Sequence, residues 1–413
     1  MYGFIFKATK PCWRECDRSP NGGRFFSLST SSPTATLAAA DLLSYISLRT
    51  ISSKASTYAS GRRSETSFIK TTRVCNFIKV IFLRHKINFV MQMIEVTFLG
   101  TVSGVPTTKR NHSAIVLDYY SDERSTLLFD CGEGTQKQLM LSGISFMQID
   151  KIFITHWHAD HFAGLIPLIQ TMNLEKRTKE LKIFAPEAEK FVASIMDLGY
   201  FGCRFPVTPI NVPFEGEEIT KVDEAGEYEI LSIPVYHTVP SVAYCFKEKD
   251  RWTIDLEKLK AAGLKRGYWL KMLKRDGVAT YRPKGARGKE GKEKEAEEAK
   301  EIRIEDVAGK KPGLKFVYSG DTRPCDNMVK LARDSDLLIH DSTFLEEDEG
   351  KAHADVRQAA EIAKEAKVKQ LVLTHLSRRY AAKEDIEEME STAKKIFPNT
   401  KVAYDFMKVV LKN

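Results

Sequence analysis

Short apolar runs separated by polar segments dominate the chain from about residue 94 to its end. Nine of these runs have the length and character of β-strands, at about 94–99, 114–118, 126–130, 151–155, 228–236, 314–319, 336–340, 370–374 and 401–405. Helical periodicity appears at about 161–174, 185–198, 325–333, 354–366 and 383–396. Strands that alternate with helices in both halves of the chain predict an α/β (α+β) fold, with two sheets packed inside helical layers.

The first 92 residues lack this pattern. They are rich in Ser, Thr and Arg and poor in acidic residues, a composition shared by organelle transit peptides. The alternative is a disordered or spurious leader ahead of a true start at Met91 or Met93, and the abrupt onset of the strand-like run at 94–99 favours it. We therefore expect residues 1–92 to be a leader and residues 93–413 to form the folded domain.

A segment between about residues 247 and 312 interrupts the alternation. It contains a basic stretch with helical periodicity at 256–274, followed by a charged low-complexity run at 289–295. Because runs of this composition cannot bury enough apolar surface to pack, we expect the run to be solvated. The whole insert is predicted to form a basic arm outside the core.

The net charge of +8 is unevenly distributed. Residues 1–92 contain fourteen Lys or Arg and four acidic residues, so they carry +10 and the remaining chain carries −2. If the folded part binds a polyanion, it must therefore use a local basic patch and not its overall charge.

The cysteines and the longest apolar runs exclude two further classes of protein. The seven cysteines are odd in number and lack the close pairs of a zinc ribbon, which predicts reduced thiols and no disulfide framework. No run approaches the roughly 20 apolar residues that a membrane helix requires. A membrane-spanning protein is therefore not expected.

Three of the nine histidines fall within six residues, directly after the predicted strand at 151–155. His156 and His158 are two apart in an extended segment, so their side chains project to the same side and can chelate one ion. Asp160 and His161 follow and can bind a second ion nearby. Two bridged cations acidify a water molecule between them, so this run predicts a two-metal hydrolase.

The run resembles the signature of the metallo-β-lactamase superfamily, and further motifs of that superfamily follow in order. His237 directly follows a predicted strand, Asp321 lies in Ser-Gly-Asp-Thr, and His375 directly follows another predicted strand. The resemblance implies an αββα sandwich that holds two zinc ions per subunit, with Mn²⁺ or another divalent ion as the alternative. It assigns the ligands to two sets that share one aspartate: His156, His158, His237 and Asp321 for the first ion, and Asp160, His161, Asp321 and His375 for the second.

Finer motifs narrow the superfamily to one family. Phe98-Leu99-Gly100-Thr101, the Pro-Thr-Thr-Lys-Arg-Asn run at 106–111 and the Phe-Asp-Cys-Gly-Glu-Gly-Thr-Gln run at 129–136 are similar to the amino-terminal signature of tRNase Z. The runs at 340–344 and 374–380 match it as well. The resemblance implies the short form of an endoribonuclease that removes the 3′ trailer from precursor tRNA. Its products would be a 3′-hydroxyl on the tRNA and a 5′-phosphate on the trailer.

The same resemblance implies catalytic roles. Asp160 is expected to accept the proton of the attacking water while it also binds the second ion. A general acid must protonate the departing ribose oxygen, and His340 is predicted for this role because histidine titrates near neutral pH. Asp341 would orient it, at a position where the family usually has Glu. His112 and His353 are expected to be structural or surface residues.

Contacts with RNA are predicted at six basic residues, which suit phosphate oxygens. They are Arg110, Lys265, Arg266, Lys271, Arg378 and Arg379. Arg110 is equally consistent with bracing the loop beside the metals. The insert occupies the place of the family's tRNA-gripping arm, although it lacks the Gly-Pro step common in bacterial arms, and a solvated hairpin without an RNA role is its alternative. Because the arm of one subunit serves the other's site in this family, a homodimer is implied.

Two other functions compete with this interpretation. A small-molecule phosphodiesterase, lactonase or thioesterase of the same superfamily would need the metals but not the basic arm. A non-catalytic RNA-binding subunit would need the arm but not the complete ligand set. The expected location is the cytoplasm, or an organelle if the leader is a transit peptide.

Overall fold

The computed structural model describes residues 92–121, 124–198, 202–281, 299–346 and 352–412. Its strands, in chain order, are β1 (Met93–Gly100), β2 (Ala114–Tyr120), β3 (Ser125–Phe129), β4 (Ile149–Phe153), β5 (Leu181–Ala185), β6 (Val207–Asn211), β7 (Thr220–Ala225), β8 (Tyr228–Val235), β9 (Ser241–Glu248), β10 (Arg251–Ile254), β11 (Val278–Tyr281), β12 (Lys300–Arg303), β13 (Ala308–Lys311), β14 (Lys315–Tyr318), β15 (Leu337–Asp341), β16 (Leu371–Thr374), β17 (Thr400–Val402) and β18 (Lys408–Lys412).

The helices of the described residues are mostly short. They are α1 (Thr135–Ser142), α2 (Ala159–Phe162), α3 (Leu165–Leu174), α4 (Ala188–Met196), α5 (Leu256–Ala261), α6 (Trp269–Asp276), α7 (Ile304–Val307), α8 (Asp326–Ala332), α9 (Val356–Glu365) and α10 (Lys383–Lys394). None of them combines the length and the apolar character needed to cross a membrane.

Two seven-stranded sheets organise the fold. The first has the order β18-β1-β2-β3-β4-β5-β6, antiparallel as far as β3 and parallel from β3 to β6. The second has the order β17-β16-β15-β14-β9-β8-β7, parallel from β17 to β14 and antiparallel beyond it. In each sheet, loops leave the carboxyl ends of the parallel strands at one edge, which is where ligands bind in α/β folds.

The two sheets face each other across a core of large aromatic side chains. Phe129 and Phe153 of the first sheet contact Phe316 and Tyr244 of the second, with ring centroids 5.3 and 5.4 Å apart. The Tyr244 hydroxyl lies within the core and donates to the Ile154 carbonyl oxygen at 3.0 Å. Each fully buried aromatic side chain contributes roughly 1.5–3 kcal/mol to the free energy of unfolding. This core holds the sheets together, and with them the two edges that carry the site.

Helices cover the outer face of each sheet. Apolar residues of α3 and α4 form one cluster with the outward side chains of β4 and β5. Those of α8, α9 and α10 form a second cluster with β14, β15 and β16. The predicted four-layer order of helix, sheet, sheet and helix is therefore confirmed.

The insert between β9 and β14 is a small structure with its own core. β10 pairs with β13, and β11 pairs with β12. Its apolar cluster consists of Leu259, Leu264, Leu273, Ala279, Tyr281, Ile304, Val307 and Ala308. The stretch predicted to be helical at 256–274 forms two helices, α5 and α6, and Gly263 adopts a positive φ of 68° between them. The predicted low-complexity run at 289–295 lies outside the described residues.

The nine predicted strands all form, as β1–β4, β8 and β14–β17. The helix predicted at 161–174 divides into α2 and α3, and the helix predicted at 185–198 begins at Ala188, after β5 ends at Ala185. The described residues from 92 to 412 belong to one compact unit. The predicted leader, apart from Gln92, lies outside the described residues.

Candidate metal centre

All seven predicted metal ligands lie beyond the ends of strands, in the loops that follow or, for Asp160 and His161, in a short helix. Those of the first sheet follow β4, where the chain turns into the single-turn helix α2. Those of the second sheet follow β8, β14 and β16. Because the two sheets are stacked, these ends meet, and the ligand atoms converge in four overlapping groups: His156, His158 and His237; His156, His161 and Asp321; Asp160, His161 and His375; and Asp321 and His375 together with Asp341 and His353.

The first group consists of three imidazoles that point their nitrogens at one another. His156 Nε2 lies 3.0 Å from His158 Nδ1, and His237 Nε2 lies 3.1 Å from the same atom. Asp321 Oδ2 is 3.7 Å from His156 Nε2 and 4.0 Å from His237 Nε2. One cation can therefore be reached by three nitrogens and one carboxylate oxygen, the donor set of a zinc site.

The group of Asp160, His161 and His375 lies beside the same aspartate. His161 Nε2 lies 3.2 Å from Asp321 Oδ1, and His375 Nε2 lies 3.3 Å from Asp321 Oδ2. Asp160 Oδ2 completes the group, 3.4 Å from His375 Nε2 and 3.8 Å from His161 Nε2. Asp321 thus lies within reach of both groups, in the position of a bridging ligand.

In four of the histidines, Nδ1 points away from the site and forms a hydrogen bond. This hydrogen bond determines whether Nε2, which faces the site, carries a lone pair. His237 Nδ1 donates to the Ala352 carbonyl oxygen at 3.0 Å, and His161 Nδ1 donates to Asp130 Oδ2 at 2.7 Å. A neutral imidazole has one N–H, so each of these rings, in its neutral metal-binding form, presents a bare Nε2 to the site.

Two threonines set the other pair of rings in the same way. The Thr155 hydroxyl donates to Asp130 Oδ2 at 3.0 Å, so its oxygen accepts the proton of His156 Nδ1, also at 3.0 Å. The Thr343 hydroxyl donates to Asp341 Oδ1 at 2.8 Å and accepts from His375 Nδ1 at 3.0 Å. Outer partners of this kind orient metal-binding histidines in proteins.

Buried atoms without partners show that the group fits a cation. Asp321 is 3% exposed, and its Oδ1 forms no hydrogen bond to a described residue, although His161 Nε2 is 3.2 Å away. A buried carboxylate oxygen and several facing lone pairs are unfavourable together unless a positive charge lies between them. The donor set, histidine nitrogen with carboxylate oxygen, suits a divalent ion such as zinc.

The titration of these groups supports the same conclusion. Burial lowers the pKa of His156 well below its usual value, and burial also lowers the pKa of His158 and His237. These rings are neutral near pH 7, the form that binds metal. His161 and His375 differ, because the charge of Asp321 outweighs their burial and raises the pKa of both rings. Burial alone would raise the pKa of Asp321, but the charges of these two protonated rings outweigh it and hold that pKa well below its usual value. Asp321 is therefore ionised.

Asp160 lies at the rim of the centre. Its side chain is 13% exposed, and Oδ2 accepts the backbone N–H of Gly104 at 2.7 Å. Burial opposes ionisation, but the hydrogen bond from His375 and the charge of His161 dominate and lower the pKa of Asp160. Asp160 is therefore an ionised carboxylate that faces solvent on one side and the ligand groups on the other.

The structure separates His340 from this centre. His340 is fully buried, its Nδ1 donates to the Asp341 carbonyl oxygen at 2.7 Å, and its Nε2 forms no hydrogen bond to a described residue. Successive side chains of a strand point to opposite faces, so His340 and Asp341 at the end of β15 cannot both face the site. Burial lowers the pKa of His340, which leaves the ring neutral.

His353, expected to be structural or at the surface, lies instead beside the ligand groups and against Asp341. Its Nδ1 donates to Asp341 Oδ2 at 2.8 Å and lies 3.9 Å from Asp321 Oδ2. Its side chain is 21% exposed, and its ring stacks on that of His375 with centroids 5.3 Å apart. Asp341 is held in turn by the backbone N–H groups of Thr322 and Thr343. The sequence analysis missed His353 because the histidine follows a polar segment and not a strand.

The predicted RNA-binding residues fall into three places. Arg110 donates to the Thr101 hydroxyl and to the Ala403 carbonyl oxygen, both at 2.7 Å. These contacts match the alternative in which Arg110 braces the loop. Arg378 and Arg379 are exposed in the turn after β16, and the Arg379 guanidinium lies over the Phe344 ring.

The other three predicted contacts lie on the arm. Lys265, Arg266 and Lys271 are exposed around the start of α6. Tyr268, between them, is 77% exposed, and the Lys271 ammonium lies 6.0 Å from the centre of its ring. The structure therefore groups them on one basic and aromatic surface, separate from the metal ligands in the chain.

Asp130 is the site residue that the sequence analysis did not single out. It is fully buried and accepts hydrogen bonds from His161, Thr155 and the Tyr318 hydroxyl, the last at 2.7 Å. Its φ of 55° is unusual for a residue other than glycine. The available signal was its position at the end of β3, within the motif at 129–136.

Two family models match parts of the chain. One, described as the anti-Pycsar protein Apyc1, matches residues 94–192, and one for the beta-lactamase superfamily domain matches residues 277–376. Together they cover the ligands of the first sheet and the last two ligands of the second.

Curated relatives match over most of their length. A ribonuclease Z of Pyrococcus abyssi is 40% identical over 325 residues, which are 78% of this chain and 97% of the relative. A ribonuclease Z of Methanothermobacter thermautotrophicus is 41% identical over 327 residues, 78% of this chain and 97% of the relative.

Solved structures agree with these relatives. The human tRNase Z, short form, is 26% identical with a TM-score of 0.50, covering 76% of this chain and 98% of the human one. The metallo-β-lactamase fold protein YhfI from Bacillus subtilis, 18% identical with a TM-score of 0.52, covers 78% of this chain and all of its own and shows the shared fold. Identity at the level of the curated relatives, over nearly their whole length, establishes common descent, and the chain therefore belongs to the ribonuclease Z family within the metallo-β-lactamase fold.

Proposed function

We propose that this protein is a metal-dependent endoribonuclease that removes the 3′ trailer from precursor tRNA. Its products are a tRNA with a 3′-hydroxyl and a trailer with a 5′-phosphate. The observation that carries the proposal is the convergence of five histidines and two aspartates at the facing edges of both sheets, in a chain 40% identical to a ribonuclease Z.

The ligand groups are proposed to hold two zinc ions per subunit, with Mn²⁺ as the alternative. His156, His158 and His237 would hold one, Asp160, His161 and His375 the other, and Asp321 both. Divalent ions at such a site supply Lewis acidity and lower the pKa of bound water.

Asp160 is proposed to accept the proton of the attacking water. Its Oδ2 is engaged by the Gly104 N–H, whereas Oδ1 forms no hydrogen bond to a described residue. The carboxylate is ionised and partly exposed, as a base at a substrate-facing rim must be.

His353, and not His340, is proposed to donate a proton to the leaving group. As water adds to the phosphorus, the bond from phosphorus to the ribose 3′ oxygen breaks, and that oxygen must gain a proton to become the tRNA hydroxyl. The His353 Nδ1–H is held by Asp341, which leaves Nε2 for the exchange with substrate. The partial exposure of His353 permits that contact, and the burial of His340 does not.

The arm is proposed to bind the tRNA through its phosphates. Lys265, Arg266 and Lys271 supply positive charge, and the exposed Tyr268 supplies a flat surface beside them. Arg378 and Arg379 leave β16 directly after His375, so they are proposed to contact phosphates near the cut. Such contacts position the substrate without selecting its sequence.

A homodimer in the cytoplasm is also proposed; an organelle is the alternative if residues 1–92 are a transit peptide. α1 and α3 lie side by side through Gln136 and Thr171, and their outer faces expose Leu141 and Leu174, which are 63% and 74% exposed. A second copy that covers these two leucines would remove their apolar surface from water. Light scattering on the purified protein, which we expect to give twice the chain mass, tests this.

The deciding experiment maps the cut in a precursor tRNA that carries a 3′ trailer. We expect cleavage after the discriminator nucleotide, abolished by chelator and by Asp160→Ala. Asp197→Ala, which removes an exposed carboxylate at the end of α4, is the matched control and should cleave normally.

The same protein is assayed on bis(p-nitrophenyl) phosphate. Hydrolysis of this small diester with intact precursor tRNA would refute the proposal and favour a small-molecule phosphodiesterase. Inactivity on both substrates in metal-loaded protein would favour a non-catalytic subunit.

A further inference from the structure

The loop between β1 and β2 touches the proposed base through its backbone. The Gly104 N–H donates to Asp160 Oδ2 at 2.7 Å. The Gly104 carbonyl oxygen accepts from His112 Nε2 at 3.2 Å, so both sides of this residue are fixed. Gly104 has a positive φ of 58°, a conformation that favours glycine.

The space around Gly104 shows what this glycine is required for. A Cβ added there would meet no atom within 4 Å, so crowding does not explain the residue. The positive φ explains why glycine is required, because this conformation turns the Gly104 N–H towards Asp160. A side chain that disfavours positive φ would therefore rotate the donor away without any clash.

One half-buried carboxylate holds both ends of this loop. Asp405 Oδ1 accepts from the Thr101 hydroxyl at 2.8 Å, and Asp405 Oδ2 accepts from the Asn111 N–H at 2.7 Å. Arg110 reinforces the fastening through Thr101 and the Ala403 carbonyl oxygen. The Ser103 N–H donates to the Leu376 carbonyl oxygen at 3.0 Å, which ties the loop to the residue after His375.

We propose that the loop of residues 101–111 is a positioning element, in which the Gly104 N–H holds the carboxylate of Asp160 and Asp405 holds the loop. Gly104 and Asp405 are positioning residues that act through Asp160, and the inference rests on the proposed function for the role of Asp160. The hydrogen bond to Oδ2 opposes rotation of the carboxylate. Oδ2 therefore stays directed at the ligand groups, and Oδ1 stays available for the attacking water. Preorganisation of this kind increases both the rate of proton transfer and the affinity for a cation.

The first test compares three variants in the full-length, zinc-loaded protein. Gly104→Ala is expected to lower kcat on precursor tRNA on the order of tenfold, as for one hydrogen bond to an ionised group at a partly exposed site, with KM unchanged. Gly104→Asn tolerates positive φ and keeps the N–H, so it should retain most of the activity. Gly216→Ala, at a glycine with φ of 96° and open space between β6 and β7, imposes comparable strain and should leave kcat unchanged.

The second test examines Asp405. Asp405→Asn is expected to give the same kcat defect as Gly104→Ala, and the double variant should show little further loss because both act on one contact. Asp118→Asn is the control, since Asp118 on β2 is a buried carboxylate that accepts from Thr126 and Arg124. If Asp405→Asn does not fold, the comparison among the glycine variants decides alone.

Zinc titration of the metal-depleted variants supplies a measurement that does not require cleavage. In Gly104→Ala, one of the two zinc-binding steps should be about tenfold weaker, namely the step that involves Asp160. Gly104→Asn and Gly216→Ala should match the unmodified chain. Unchanged or tighter binding together with unchanged kcat in Gly104→Ala would overturn the inference, and so would equal losses in Gly216→Ala. An unmodified chain that leaves precursor tRNA intact overturns the proposed function instead, while the zinc titration still decides whether the loop positions Asp160.

Discussion

Asp130 shows how one buried residue can set several ligands at once. It accepts from His161 directly, and it fixes the direction of the Thr155 hydroxyl that in turn orients His156. Asp130 also accepts a hydrogen bond from the Tyr318 hydroxyl of the second sheet. One carboxylate therefore determines which nitrogen two histidines present, one in each of two ligand groups.

The proton donor can be identified by comparing two histidines. His353→Ala should lower kcat on precursor tRNA by about 10²- to 10⁴-fold, the usual contribution of a general acid, with its zinc content unchanged. His340→Ala removes a buried ring that faces away from the site, so it should lower the melting temperature more than kcat. Single-turnover cleavage, zinc analysis and thermal unfolding on both variants provide the measurement. A large kcat loss in folded, zinc-loaded His340→Ala, with His353→Ala active, would restore the assignment to His340.

The pH profile should depend on Asp341. Burial lowers the pKa of His353, but the hydrogen bond and charge of Asp341 outweigh it and raise that pKa above its usual value. A general acid acts only when protonated, so kcat falls as the pH rises through its pKa. Asp341→Asn removes the negative charge and should move this alkaline limb to lower pH, measured as kcat against pH at constant zinc occupancy. A limb that does not move would exclude His353 as the titrating acid.

The sequence predicted the seven ligands because each comes directly after an apolar strand, and strand ends in stacked sheets converge. It selected His340 as the proton donor, since His340 also follows that rule, and it could not take into account that side chains alternate along β15, where His340 is buried. His353 and Gly104 gave no such signal, because their positions depend on loops whose geometry is set by contacts distant in sequence, with Asp341 and Asp405.

At the scale of elements, predictions succeeded where an apolar run was uninterrupted. β15 and β16 are buried parallel strands, and they begin in the sequence with continuous aliphatic residues, Leu-Leu-Ile and Leu-Val-Leu. β6 contains a proline and polar residues and is mostly half-buried at the edge of its sheet, so it carries no clear pattern. The arm was expected to lie outside the core, and its own small apolar cluster could not be foreseen from its charge.

The arm permits a prediction about substrate size. Replacing Lys265, Arg266 and Lys271 with Ala should raise KM for precursor tRNA tenfold or more, because phosphate contacts contribute most of the binding energy. Hydrolysis of bis(p-nitrophenyl) phosphate should not change, since these residues lie apart from the ligand groups. The control replaces Lys383, Lys394 and Lys395, which are exposed on and beside α10, with Ala. This substitution removes the same amount of charge. Equal KM effects of the two triple variants would show that only overall charge matters.

For the whole molecule, the ligands join the two halves of the chain. His156, His158, Asp160 and His161 follow the first sheet, whereas His237, Asp321 and His375 follow the second. The aromatic core already holds the sheets together, so the domain should fold without metal. Bound ions would add a second connection at the edge, where Asp321 is buried among histidines.

Removing the metal should therefore lower the melting temperature without unfolding the protein at room temperature. An ion that binds only the folded state at a thousandfold excess over its Kd stabilises it by about 4 kcal/mol, which corresponds to a shift of several degrees for a domain of this size. We expect calorimetry with and without chelator to show this shift, reversed by added zinc. Asp321→Asn should unfold at the same temperature under both conditions, because it removes the ligand shared by the two groups. An identical shift in Asp321→Asn would mean that the stabilising ion binds elsewhere, and the bridging position of Asp321 would then have to be abandoned.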